Sequence, residues 1–306
     1  MTNGRKRVYF NRRPVQGPWG GGNKLVDALA SSLVTKGHKV FFDLDRDDFD
    51  ILFCTDPRPN DAGIWYQHLL DYKVRFGSKI IQRVGDLGTH GKPELLELVR
   101  RSTQFSDHII FPSTWAKEYS GFSGENYSII QNRSKQIFHK YKAGTALNSP
   151  VRVVTHHWSN NSRKGFDIYS FIDENLSSKF VFTYIGRLPI NYSFKNSIYI
   201  PPINDQEIAE RLPQHDIYLT ASREEAGANH VLEAMACGLP VLYISNGGSI
   251  GEYVGTRGAQ FNDETDILDR LDWMVQNFDD YKARSMDYTD SIEKTIDEYI
   301  SVICPA

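Results

Sequence analysis

Cysteine is scarce in this chain: Cys54, Cys237 and Cys304 stand far apart among 306 residues. An odd, scattered set without metal-ligand spacing argues against a disulfide framework or a zinc knuckle and reads as free thiols in a reducing compartment. Long apolar runs are missing as well. No stretch approaches the roughly 18–20 continuous apolar residues of a membrane span, and the start has no apolar signal core, so a cytoplasmic location is expected. No His/Cys cluster offers a ligand set, and neither a metal nor another cofactor is expected. There is no basic excess: 35 Lys and Arg face 38 Asp and Glu, a net charge of -3, which argues against a nucleic-acid surface. The basic residues that open the chain, Arg5, Lys6, Arg7, Arg12 and Arg13, read as a solvated edge, with peripheral contact to an anionic membrane surface as the alternative.

What the chain does have is alternation. With 40% hydrophobic residues it can bury real cores, and its length suits two medium domains. A strand at Val8–Phe10 leads through the glycine-rich loop Gly17–Gly22 into a helix over Asn23–Lys36, then a strand at His38–Asp43. Strands follow at Asp50–Cys54, Lys79–Val84, Asp107–Phe111 and Tyr127–Gln131, with helices at Trp65–Tyr72, Glu94–Arg101 and after Ser113, a good cap. The polar segment Lys140–Pro150 reads as a linker. The alternation then restarts: strand Val151–Thr155, loop His156–Gly165, helix Phe166–Asn175, strands Phe180–Ile185 and Ile198–Ile200, and helix Asp205–Leu212. Two such series predict two Rossmann-like α/β domains with parallel sheets, residues 1–147 and 148–306, facing each other across a cleft.

The chemistry concentrates in Ser222–Pro240, between strand candidates at Asp216–Ala221 and Val241–Ile244. A short helix is expected to open at Asn229 as its cap and to close at Gly238. Such a helix start offers unpaired N–H groups and a positive dipole end to an anion. Gly227 lets backbone approach a ligand closely. Glu225 and Glu233 would repel an anion but suit sugar hydroxyls, which donate hydrogen bonds. Together these features suit a phosphorylated sugar. A second glycine loop, Gly85–Gly91, follows a strand, where ligands of open α/β sheets bind, so Asp86 and His90 are candidates for touching acceptor or donor sugar.

The run E-A-G-A-N-H-V-L-E at Glu225–Glu233 resembles the E-x7-E motif of the family-4 retaining glycosyltransferases, and E-A-M-A-C-G-L-P-V after it is close to the family pattern. The resemblance implies the GT-B fold. It further implies that Glu225 contacts donor-sugar hydroxyls, that Glu233 holds the nucleotide ribose, and that Gly227, Ala228 and Asn229 present backbone amides to the sugar. Many members carry an aromatic where Ala228 stands. The glycine loop and the helix ending in G-H-K-V resemble the family's N-terminal pattern and point to Gly21 and Gly22 as facing the donor diphosphate. Lys164-Gly165 resembles the family's phosphate-binding lysine. The Arg that usually precedes it falls near Ser159, and Arg163, Arg187 or His157 are the candidates to replace it. Ser245–Tyr253 resembles the G-G-x-P-E segment that follows the donor site, and base recognition is placed near Gly186 and Ile200–Ile203. The last helix, about 284–303, is expected to pack back on the N-terminal domain.

The resemblance thus implies retaining transfer of a sugar from a nucleotide-diphosphate sugar, UDP first and GDP second, to a hydroxyl of a glycan, lipid-linked or small-molecule acceptor. The rival readings are a catalytically silent nucleotide-sugar-binding protein and a GT-B epimerase or phosphorylase.

Overall fold

A computed structural model describes residues 4–15 and 21–305. Contacts divide the chain into two compact units, residues 1–131 with 293–306, and residues 132–292.

In the first unit the strands are β1 (Arg7–Phe10), β2 (Lys39–Phe41), β3 (Ile51–Cys54), β4 (Lys79–Arg83), β5 (His108–Phe111) and β6 (Tyr127–Ile129). The helices between them are α1 (Gly21–Thr35), α2 (Tyr66–Phe76), α3 (Glu94–Thr103) and α4 (Thr114–Ser120). The sheet order is β2-β1-β3-β4-β5-β6, with every pair parallel. A parallel sheet covered on both faces needs strands that are apolar throughout, and all four residues of β3 are buried. Helix α3 shows how composition selects an element. Leu95, Val99, Ser102 and Thr103 recur at helical spacing and are buried, Glu94 and Glu97 lie in the first turn, and Arg100 and Arg101 in the last, matching the dipole at both ends. Ser113 caps α4, its hydroxyl accepting from the Ala116 N–H at 3.0 Å, a bond worth about 1 kcal/mol.

The second unit holds α5 (Gln136–His139), β7 (Val151–His157), α6 (Phe166–Asn175), β8 (Phe180–Gly186), β9 (Ile198–Ile200), α7 (Asp205–Arg211), β10 (Ile217–Thr220) and α8 (Asn229–Ala236). It continues with β11 (Val241–Ile244), α9 (Ile250–Val254), β12 (Gly258–Phe261), α10 (Ile267–Gln276) and α11 (Phe278–Met286). The sheet order is β12-β11-β10-β7-β8-β9, again all parallel. Successive strand residues face opposite sides. Val154, Tyr218 and Val241 therefore join one core with α8, while Val153, Leu219 and Leu242 join the other with α6 and α10. The capping box expected of a helix start appears at α7, where Asn204 and Glu207 satisfy each other's backbone N–H groups.

The two parallel six-stranded sheets, with their helices, form the α/β GT-B fold. In each sheet the chain turns from one side to the other: between β1 and β3 in the first, and between β7 and β10 in the second. In open α/β sheets, ligands bind at such switch points, beyond the carboxyl ends of the strands.

Several expected boundaries move. The first unit ends at Gln131 rather than at 147. Phe138 and Ala143 are buried in a core of the second unit, and the Ala143 N–H bonds the Cys237 carbonyl at 2.8 Å, so this polar stretch is anchored rather than a free linker. The last helix, expected over about 284–303, is shorter: α11 stops at Met286, and α12 (Ile292–Ile303) starts after residues 287–291. Helix α12 lies in the first unit, with Tyr299 against Phe53 at 6.2 Å between ring centres. α5, α9 and β12 were not foreseen; they are short, and short elements carry little periodicity.

Among the described residues no helix is long and apolar enough to cross a membrane.

Candidate active site

The site is built at the switch point of the second sheet. Strand β7 was expected to end at Thr155, where its apolar pattern stops. It continues through His156 and His157, because pairing with β8 runs to His157 against Gly186. This close approach requires glycine at 186: a Cβ there would lie 2.0 Å from the His157 carbonyl oxygen, and φ is +137°. His156 is thereby carried beneath α8, where its Nε2 lies 2.7 Å from Glu233 Oε2. The other ring nitrogen, Nδ1, is buried without a hydrogen-bond partner. A proton on Nε2 satisfies the carboxylate and leaves Nδ1 as a bare lone pair, the cheaper arrangement. Among the described residues Glu233 makes no second side-chain hydrogen bond, so one carboxylate oxygen remains open to a donor.

Helix α8 starts at Asn229, and its cap is Ala228, not Asn229 as expected; no side chain caps it. Thr220, beneath it, engages His230 instead, Oγ1 to Nε2 at 3.0 Å. Ala228 supplies no side-chain cap to the positive dipole end of α8, and a helix start of this kind suits an anion. Asn132 bonds the Gly227 carbonyl at 3.5 Å.

Glu225 sits on the loop before α8. It forms an ion pair with Lys164 and accepts a hydrogen bond from the Ser222 hydroxyl. The two charged side chains are 12% and 14% exposed. The loop is clamped from the other side by Asn246–Ser249. The Glu224 N–H bonds Asn246 O at 3.0 Å, the Glu225 N–H bonds Gly247 O at 3.2 Å, and the Ser249 N–H bonds Glu225 O at 2.8 Å. Gly248, at φ +70°, would bring a Cβ to 2.6 Å from the Glu225 carbonyl oxygen. Glu224 itself adopts φ +53°, a strained conformation for a residue with a Cβ. Gly247 and Gly248 therefore serve as the cradle of Glu225.

The remaining candidates of this unit surround that centre. Arg163 Nη1 stands 3.6 Å from Glu224 Oε2. Arg187 lies over the Trp158 ring at 4.2 Å, held by its N–H to the His157 carbonyl at 3.2 Å. His157 turns into the core, its Nε2 2.7 Å from the Tyr169 hydroxyl. Arg223 makes a two-point bridge to Asp167 at 2.8 and 2.7 Å. Burial pushes the Asp167 carboxyl up, but this bridge outweighs it and holds the group below the usual range.

Gly21, Gly22, Asp86 and His90 belong to the first unit. Gly21 and Gly22 are the first two residues of α1, so they form its helix start rather than the loop expected there; Gly17–Gly20 lie outside the described residues. Asp86 pairs with Lys92 at 2.7 Å and accepts from the Gly88 N–H at 2.9 Å. His90 is partly buried. Gly22 and Asp86 both line a cavity of about 650 Å³. Of the opening basic residues, Arg7 pairs with Asp48, Arg12 with Asp56 and Arg13 with Asp43. Among the described residues no group of three or more His, Cys, Asp or Glu side chains is placed to hold a metal ion.

Three contributors were missed by sequence reasoning: His156, which read as loop, Ser222, and Arg83, which lines the cavity. Only a strand extended to the register of Gly186 could have signalled the first.

A family model described as glycosyl transferases group 1 matches residues 179–277, just under a third of the chain. It spans β8 to the end of α10 and includes the whole Glu225–Glu233 stretch. No curated protein sequence matches the chain. Several solved structures match in fold. HepE of Anabaena, solved in complex with UDP and glucose, aligns with a TM-score of 0.72 at 13% identity, covering 99% of this chain and 100% of that one. Sucrose-phosphate synthase from Thermosynechococcus elongatus aligns at 0.71 and 13%, covering 97% and 98%. A glycosyltransferase from Rickettsia africae aligns at 0.72 and 11%, covering 98% of each chain. At such identities these likenesses establish the fold.

Proposed function

We propose that the protein is a retaining glycosyltransferase that moves a sugar from a nucleotide-diphosphate sugar, a UDP-sugar in the first instance and a GDP-sugar in the second, to an acceptor hydroxyl. The observation that carries this reading is the pair of acidic side chains flanking the start of α8 at the β7/β10 switch point. Glu225 is held by Lys164 and Ser222, and Glu233 by His156. Two anions beside an anion-binding helix start make sense when they accept hydrogen bonds from hydroxyl groups, with the phosphates met by other groups. The family match over this stretch and the fold shared with HepE, solved with UDP and glucose, support the same reading.

In the free protein Lys164 and Glu225 neutralise each other. When the donor enters, the ammonium turns to the diphosphate and meets charge that builds on the leaving group. Glu225 is released to the sugar hydroxyls, and the open oxygen of Glu233 accepts from the ribose. Amides at Gly227–Asn229 complete the site. The reaction as proposed takes no cofactor and no metal, its acceptor being a glycan, a lipid-linked saccharide or a small molecule.

The test is a thermal-shift panel of UDP, GDP and ADP, followed by turnover of the matching nucleotide-sugar. One nucleotide at a hundredfold over its Kd should stabilise the protein by about 2.7 kcal/mol. Glu233→Ala should weaken that nucleotide by roughly tenfold to a hundredfold, the worth of a hydrogen bond to a charged acceptor, about 1.5–3 kcal/mol. A protein that no nucleotide stabilises at millimolar concentration would overturn the proposal. So would a product of inverted anomeric configuration, for the retaining part.

A further inference from the structure

The first unit contains a buried cation with no buried counter-charge. Arg83, the last residue of β4, is 7% exposed. Among the described residues no carboxylate lies within 4 Å of it, and its Nε is buried without a hydrogen-bond partner. Tyr299 stands within its field on α12, but burial pushes that phenol up, so it stays neutral and supplies no charge. A guanidinium is always protonated and is costly to bury alone. The other basic groups lining the cavity are matched: Arg12 by Asp56, Arg13 by Asp43 and Lys92 by Asp86. The one remaining lining carboxylate, Asp61, is exposed.

The space around Arg83 is prepared by sequence. Its Nη1 lies where a Cβ on Gly85 would come within 1.7 Å, and 3.8 Å from where one on Gly22 would stand. Glycine at 85 thus makes room for the guanidinium, and the start of α1 at Gly22 lies in ordinary contact distance beside it. Both belong to the cavity wall, together with the apolar Val84 and Leu95. The volume of about 650 Å³ falls in the range of small-molecule sites. Charge, donors and low-dielectric walls here suit an oxyanion, which Arg can grip with two parallel N–H bonds.

We propose that Arg83 binds an anionic substituent, a phosphate or a carboxylate, on the acceptor, so that the acceptor class is an anionic saccharide or a phosphorylated molecule. This rests on the transferase reading for the word acceptor; the anion site itself does not. The donor diphosphate is the competing source of the same chemistry.

The experiment is calorimetric titration of the full chain with inorganic phosphate and with glucuronate, at ionic strength fixed by sodium chloride, with and without saturating UDP. The expected result is that one of these anions binds in the presence of UDP. Its affinity falls at least tenfold in Arg83→Gln, and likewise in Gly85→Ala, which displaces the guanidinium and keeps the charge. UDP binding in both variants, unchanged, shows that they are folded. Anion binding that UDP abolishes would assign Arg83 to the donor and overturn the proposal. Absent binding, or binding equal in wild type and both variants, would overturn it as well. If neither UDP nor GDP binds wild type, the transferase reading fails by itself, and the Arg83 dependence measured without nucleotide still decides the anion site.

Discussion

Removing Lys164 separates a structural ion pair from a donor-binding lysine. In wild type, the pair with Glu225 is nearly closed to water, at 12% and 14% side-chain exposure. Breaking a fully buried pair by deleting one partner costs about 3–5 kcal/mol, because the other charge is stranded. Here the residual exposure and the Ser222 hydroxyl soften that cost, and Lys164→Ala should lose about 2–3 kcal/mol. Replacing both partners with apolar residues, Lys164→Met with Glu225→Leu, removes the stranded charge and should recover most of the loss, so that in a double-mutant cycle with the Lys164→Met and Glu225→Leu single variants the double variant is more stable than either single. The assay is chemical denaturation of the single and double variants, with nucleoside diphosphate binding measured on each. Stability should return in the double variant while binding and turnover do not. A double variant no more stable than the singles would refute the buried pair. Full nucleotide affinity in Lys164→Ala would refute the lysine's role at the diphosphate.

Two further outcomes follow from the same structure. Gly248→Ala forces a Cβ against the Glu225 backbone at a φ of +70°. It should cost about 1–3 kcal/mol of stability and lower turnover more than it lowers nucleotide affinity, measured by denaturation and steady-state kinetics; equal kinetics would show that the cradle is dispensable. Lys282 is 2% exposed and its Nζ donates to the Gly238 carbonyl at 2.7 Å; burial brings its pKa down from 10.5 to about 8. With a folded pKa below the unfolded one, the penalty is full below pH 8 and fades as pH rises toward 10.5, where the unfolded chain binds more protons. Wild type should therefore gain stability relative to Lys282→Met between pH 8 and 10.5; a constant difference across that window would refute the shift. The comparison cancels the Cys54 and Cys304 thiols, which burial raises to about 12 and about 11 and which act in the opposite direction.

The sequence by itself determined the alternation of the main strands and helices and the placing of Glu225 and Glu233 on a loop and the helix after it. Apolar runs such as Ile51–Cys54 and Val241–Ile244 are strands because buried parallel strands need no polar face. The seven residues between Glu225 and Glu233 put one carboxylate on the loop and one on the helix, and that spacing is local. Partnerships were not legible. Lys164 meets Glu225 across 61 residues and His156 meets Glu233 across 77, and only the parallel register of β7 with β8 and β10 brings them together. The helix start shows the same limit, since Asn229 has the right chemistry for a cap but stands one residue inside α8. Arg83 is the clearest case. In sequence it is one polar residue closing an apolar strand, and its burial without a counter-charge appears only when Gly22, Gly85 and Tyr299 converge from three separate elements. Periodicity records which face of an element is apolar; which groups meet at the ends of the strands depends on how those elements pair, and that is decided at long range.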